Sequence, residues 1–93
     1  CGAVDEACRE VLRRFGYEEN FLHSTGHGVG LEIHEPPWAR RGNDDPLAEG
    51  DVITVEPGVY LPGKGGVRIE DMVVVAASGS RVLTRSTKEF SIP

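Results

Sequence analysis

Val52-Ile53-Thr54-Val55-Glu56-Pro57-Gly58 and, after a turn, Val67-Arg68-Ile69-Glu70-Asp71-Met72-Val73-Val74-Val75-Ala76 are the two stretches that decide the fold. Both are rich in β-branched residues and bounded by Gly or Pro, so each reads as a strand. The first covers 52–55 and stops at Pro57-Gly58. Pro62-Gly63-Lys64-Gly65-Gly66 turns the chain into the second, which is expected to run unbroken over 67–76. Ser78-Gly79-Ser80 turns it again into a short return strand over 81–84, and 85–93 reads as polar surface chain. Upstream, residues 35–50 carry Pro36-Pro37, Gly42-Asn43-Asp44-Asp45-Pro46 and Glu49-Gly50, which predicts loop. Residues 21–34, with Gly26, Gly28 and Gly30 alternating, predict extended chain with a tight irregular passage.

Residues 3–15 predict an amphipathic helix: Val4, Cys8, Val11 and Phe15 recur at helical spacing, with Ala7 and Leu12 beside them. Asp5, Glu6, Arg9, Glu10, Arg13 and Arg14 are expected on the solvent side, where Asp5–Arg9 and Glu10–Arg14 make supporting pairs one turn apart. Gly16 stands where a helix-ending glycine belongs. No N-cap side chain precedes the helix. The sum is an α+β class, a helix packed on an antiparallel sheet.

Composition bounds the function. The 93 residues hold 10 Lys+Arg and 15 Asp+Glu, a formal net charge of −5, and are 39% hydrophobic. That is globular rather than disordered composition. Net acidity without basic blocks disfavours nucleic acid and anionic membrane as partners, and no apolar run approaches the ~20 residues that span a bilayer. Length allows one small domain with a marginal core. The sequence opens directly on helical pattern, with no initiating Met or signal peptide, so a fragment of a longer protein is expected. Cys1 and Cys8, if both helical, stand ~10 Å apart, too far to bridge. Reduced thiols and a cytoplasmic location are the simple reading.

All three histidines, His23, His27 and His34, fall in the Gly-rich stretch. His23 and His27 have the spacing of a helical zinc pair, but the glycines around them argue against a helix, so that mechanism does not apply. Any one of them read alone is an ordinary structural or surface histidine; three together in one such stretch suggest chemistry. Glu56 closes the first strand and shares a face with Thr54. Glu70 lies inside the second, with Arg68 on its face. An acid within a β-branched strand is costly to bury without a partner, and either Arg68 or a metal ion would serve. Gly26-His27-Gly28-Val29-Gly30 and Gly63-Lys64-Gly65-Gly66 lack the spacings of phosphate-binding loops.

His23-Ser24-Thr25-Gly26-His27-Gly28-Val29-Gly30-Leu31 with Ile33-His34-Glu35-Pro36-Pro37, then Thr54-Val55-Glu56-Pro57-Gly58-Val59-Tyr60, then Gly66-Val67-Arg68-Ile69-Glu70-Asp71 resemble, in order and spacing, the three signatures of the pita-bread metallopeptidases. The third is more similar to the proline-peptidase branch, prolidase and aminopeptidase P, than to methionine aminopeptidase. The resemblance covers 23–71 and implies one half of a pita-bread fold. It implies a Xaa-Pro dipeptidase or aminopeptidase that cleaves proline-containing peptides with water activated by two divalent ions, Mn²⁺ first, Co²⁺ or Zn²⁺ otherwise. It makes His27, Glu56 and Glu70 metal ligands, with Glu70 bridging. His23 and His34 become histidines that contact substrate, Glu56 a proton carrier, and Arg68 the arginine beside the bridging carboxylate.

The family pattern also needs two Asp ligands upstream of the helix. Residues 1–93 are therefore expected to be the C-terminal portion of one catalytic domain, without the Asp-bearing half or the N-terminal domain. Such a piece would be inactive alone and prone to self-association, though a homodimer as the whole protein. Two other readings compete: a non-catalytic pita-bread domain that binds peptides or proteins, and a metal-free hydrolase of creatinase type.

Overall fold

The computed structural model describes residues 1–90. A helix, α1 (Gly2–Arg14), leads through a single 3-10 turn at Glu18–Asn20 into seven strands: β1 (Gly26–Gly28), β2 (Glu35–Ala39), β3 (Val52–Val55), β4 (Gly58–Leu61), β5 (Gly65–Arg68), β6 (Asp71–Ala76) and β7 (Gly79–Val82). Five form one sheet in the order β2-β1-β3-β6-β7, and β4 pairs with β5 in a separate ribbon. Every pairing is antiparallel. The expected α+β class is what the chain adopts, with α1 lying against β2.

The helix ends as its sequence predicts. Gly16 has φ +80°, its N–H donates to Arg13 O, and Tyr17 N–H donates to Leu12 O, the paired bonds of a glycine-terminated helix. At the other end no side chain caps it; Gly2 N–H donates instead to Asn43 O at 2.7 Å, tying the helix to the loop after β2. Its faces differ from expectation. Val11 and Phe15, read as apolar face, are exposed, whereas Asp5, read as solvent face, is fully buried.

Four strand assignments also change. Residues 35–39 are strand β2 rather than loop; Pro36-Pro37 is tolerated because the ladder skips it, His27 pairing with Trp38 and Gly28 with Glu35 across a register shift on the sheet's outer strand. The predicted 67–76 strand is broken: 65–68 belongs to the ribbon and 71–76 to the main sheet. Residues 69 and 70 make the crossing, so Glu70 sits in the break rather than inside a strand. Finally, Gly58–Leu61 is a strand that the Pro57-Gly58 stop concealed. It folds back on β5 through Pro62-Gly63-Lys64, with Lys64 N–H donating to Leu61 O at 3.0 Å and Gly63 at φ +76°, a type II turn. The return strand lies at Gly79–Val82, two residues earlier than predicted. Residues 85–90 carry no strand or helix, and the rest of the predicted tail, 91–93, lies outside the described residues.

The core is small. Phe21, Ala39 and Ile53 are its buried apolar side chains among the described residues, joined by Thr25 and Thr54. Strand β1 is short because it threads between neighbours too close for side chains. A Cβ on Gly26 would overlap the Thr54 carbonyl, and one on Gly28 would overlap that of Pro36. The alternate glycines thus bring β1 against both β2 and β3, and they leave His27, between them, as the one side chain that β1 projects.

Candidate functional site

β1 contributes His27, β3 contributes Thr54 and the following Glu56, β5 contributes Arg68, the break contributes Glu70, and β6 contributes Met72. With Val29, Ile33 and His34 from the loop after β1, these line one cavity of about 330 Å³. The register explains the meeting. Gly28 opposes Ile53 and Thr54 opposes Met72, so β1, β3 and β6 present these positions side by side. Chain separation between His27 and Glu70 is crossed by the sheet.

Within the cavity, His27 Nε2 lies 3.4 Å from Glu56 Oε2, and both side chains are largely buried. His27 Nδ1 lies 2.9 Å from Gly28 O. A carbonyl oxygen only accepts, so the ring proton is on Nδ1, and in the neutral ring Nε2 carries the free lone pair on the side of Glu56. This is the tautomer a metal-ligating histidine needs, fixed by a backbone acceptor. His34 lies against it, ring centroids 4.3 Å apart. The backbone is held as firmly: His27 N–H donates to Thr54 Oγ1 at 3.1 Å, and Glu56 N–H donates to Thr25 O at 2.7 Å.

The donor chemistry fits a divalent cation: one imidazole nitrogen and carboxylate oxygens around a partly apolar cavity. The set is incomplete, however. Among the described residues no three His, Cys, Asp or Glu side chains stand close enough together to enclose an ion by themselves. Glu70 is solvent-exposed and lines the same cavity as His27.

Of the six residues singled out from sequence, the cavity brings together His27, His34, Glu56, Arg68 and Glu70. His23 stands apart from that lining. Its Nδ1 donates to Ser24 O at 2.8 Å, so its Nε2 accepts from the Tyr60 hydroxyl at 2.6 Å, and its ring packs edge-on against Phe21 and Tyr60. Sequence reasoning gave Tyr60 no role, although Tyr60 lies in the quoted second signature. It also missed Thr54 as the residue that orients His27, which its shared face with Glu56 implied. Both cysteines are free. Burial pushes the Cys8 thiol up, away from the thiolate form.

The model of metallopeptidase family M24 matches residues 1–77. The Xaa-Pro dipeptidase of Pyrococcus furiosus is 49% identical over 87 residues, which are 94% of this chain and 25% of that protein. Among solved structures, the dipeptidase PepE of Mycobacterium ulcerans superposes with a TM-score of 0.91 at 45% identity, over 95% of this chain and 24% of that one. The X-Pro aminopeptidase of Thermotoga maritima gives 0.88 at 50% identity, over 91% and 24%. The chain thus spans about a quarter of the length of the relatives it matches. No helix among the described residues is long and apolar enough to cross a membrane.

Proposed function

This chain belongs to metallopeptidase family M24, and from that premise we propose that the whole protein hydrolyses Xaa-Pro bonds, in dipeptides or at peptide N-termini, with residues 1–93 supplying the C-terminal portion of its catalytic domain. The observation that carries the reading is the His27–Glu56 pair: an imidazole locked with its lone pair toward a carboxylate, in a cavity that Glu70, His34 and Arg68 also line.

His27, Glu56 and Glu70 would hold divalent metal, two ions in this reading, with two Asp carboxylates from upstream completing the set. Mn²⁺ suits a donor set dominated by carboxylate oxygen; Co²⁺ and Zn²⁺ are the alternatives. When bound, the metal polarises the scissile carbonyl and acidifies a water molecule. Glu56 takes a proton from the attacking water and delivers it to the proline nitrogen, a secondary amine that leaves poorly unless protonated. His34 donates a hydrogen bond to the carbonyl oxygen as negative charge builds there. Arg68 balances the charge of Glu70. His23 contacts substrate by exchanging its Tyr60 hydrogen bond for one from the peptide.

The test is hydrolysis of Ala-Pro by the whole protein with Mn²⁺, then after chelation and after metal is returned. Activity is expected to vanish with chelation and to recover. Turnover indifferent to the chelator would favour the metal-free hydrolase; peptide binding without turnover would favour the binding domain.

The whole protein is proposed to be a cytoplasmic homodimer. The 93 residues alone are proposed to be inactive and to self-associate. Supporting this, Phe15 is 73% and Val67 62% exposed, and Leu12, Pro57, Val59, Val67 and Ile69 line an apolar groove. Sedimentation of the isolated chain should find oligomers; a stable monomer that turns over Ala-Pro would overturn both points.

A further inference from the structure

Asp5 is the buried charged side chain among the described residues, with no exposure at all, and nothing in the reaction above uses it. Its Oδ1 accepts from both Thr25 N–H at 3.1 Å and Thr25 Oγ1–H at 2.9 Å. Its Oδ2 accepts from Arg9 Nε at 2.6 Å. Arg9 continues the chain: its Nη2 donates to His23 O at 3.1 Å, and its guanidinium lies 4.5 Å over the Phe21 ring. One ion pair on α1 therefore grips the backbone on both sides of Ser24. Thr25 passes the grip on, because its carbonyl accepts Glu56 N–H at 2.7 Å, and β1 begins at the next residue.

We propose that the Asp5–Arg9 pair is a positioning device for the metal donors His27 and Glu56, acting through Thr25. The proposal rests on the metal-site reading given above. Thr25 is where the strand carrying His27 and the end of the strand carrying Glu56 are joined, and Asp5 is the side chain that fixes Thr25 from below. Apolar contact would pack a helix on a sheet at no desolvation cost. Charge-assisted hydrogen bonds add direction, and here they hold residues 23–25 at two backbone atoms and one hydroxyl. Groups that orient metal ligands without touching the metal change affinity by about 10–100-fold when removed. Transmission through a backbone joint puts this pair at the low end.

The test uses the whole protein and two variants. Asp5→Asn keeps an acceptor for Thr25 and removes the charge facing Arg9. Thr25→Val keeps the ion pair and removes only the hydroxyl bond. Calorimetric titration with Mn²⁺ is expected to show affinity weakened about tenfold in Asp5→Asn, and less, in the same direction, in Thr25→Val. The visible absorption of the Co²⁺-loaded protein should shift in both, since it reports the arrangement of the donors rather than stability. At saturating Mn²⁺, kcat for Ala-Pro should fall while KM stays near wild type, and Thr25→Ser should restore the parent values. Folded variants with unchanged Mn²⁺ affinity and Co²⁺ spectrum would overturn the proposal; if Asp5→Asn does not fold, Thr25→Val alone decides it. A wild-type protein that takes up no Mn²⁺ overturns the metal reading and this proposal with it, whereas uptake by wild type and variants alike overturns the positioning role only.

Discussion

Glu70→Ala in the whole protein is expected to cut Xaa-Pro hydrolysis by about a thousandfold or more, and Glu32→Ala to leave it nearly unchanged. Removing even one neutral group that stabilises developing charge costs about 10²–10³ in rate, and under the proposed function Glu70 would have the larger task of a metal donor. Glu70 lines the cavity with His27 and Glu56. Glu32 is an exposed loop residue that contributes through its backbone, its N–H donated to Glu35 Oε2 at 3.1 Å and its carbonyl accepting Gly30 N–H at 3.2 Å. The two are matched in residue type and exposure, so the comparison isolates position. Peptide hydrolysis measured at saturating Mn²⁺ is the check, with Glu70→Gln added to separate loss of charge from loss of shape. Equal losses in the Glu70 and Glu32 variants would remove Glu70 from the site.

Much of this site was legible before the fold was known, because the residues that carry it are chemically conspicuous. Histidines among alternate glycines, and Glu56 at the close of a β-branched run, stand out locally; Glu70 was legible only through the signature it lies in, since it proves exposed, in the break between two strands. The α+β class was legible too, since helical and strand periodicities differ and occupy separate stretches. What escaped was what depends on neighbours. Pro36-Pro37 signals loop locally, and only an outer strand whose register shifts at that point accommodates it. Val67 to Ala76 is uniformly β-branched and hides the change of sheet at 69 and 70, which depends on where the ribbon's partner lies. His23 looks like His27 in sequence, yet Tyr60, far along the chain, occupies its Nε2. The helix misled most. Asp5 and Arg9 form the same one-turn pair as Glu10 and Arg14, and no helical projection distinguishes the buried pair from the exposed one, because the burial comes from Thr25 and Phe21.

That difference in burial sets the scale of the second large effect. Arg9→Ala is expected to destabilise the protein by about 3–5 kcal/mol, the cost of leaving a buried charge without its partner. Set against a usual total of about 5–15 kcal/mol, this is a substantial share. The Asp5 side chain is 1% exposed and that of Arg9 11%; without the guanidinium the carboxylate keeps only the two Thr25 donors and has no route to water. The reverse change, Asp5→Ala, should cost less, since Arg9 retains His23 O and the Phe21 ring and is the more accessible of the two. Arg13 is the contrasting case. It meets Glu6, Glu10 and Glu18, more acids than Arg9 does, but at 44% side-chain exposure, and Arg13→Ala is expected to cost far less than Arg9→Ala, because ion pairs held in water contribute little. Denaturant unfolding of these three variants and of the Asp5→Ala/Arg9→Ala double variant, which closes a cycle, measures the coupling directly. The double variant should be markedly more stable than the sum of the single losses predicts, because the second substitution removes the charge that the first left stranded. Additive losses, or an Arg13→Ala cost equal to that of Arg9→Ala, would mean that burial is not what gives the Asp5–Arg9 pair its weight.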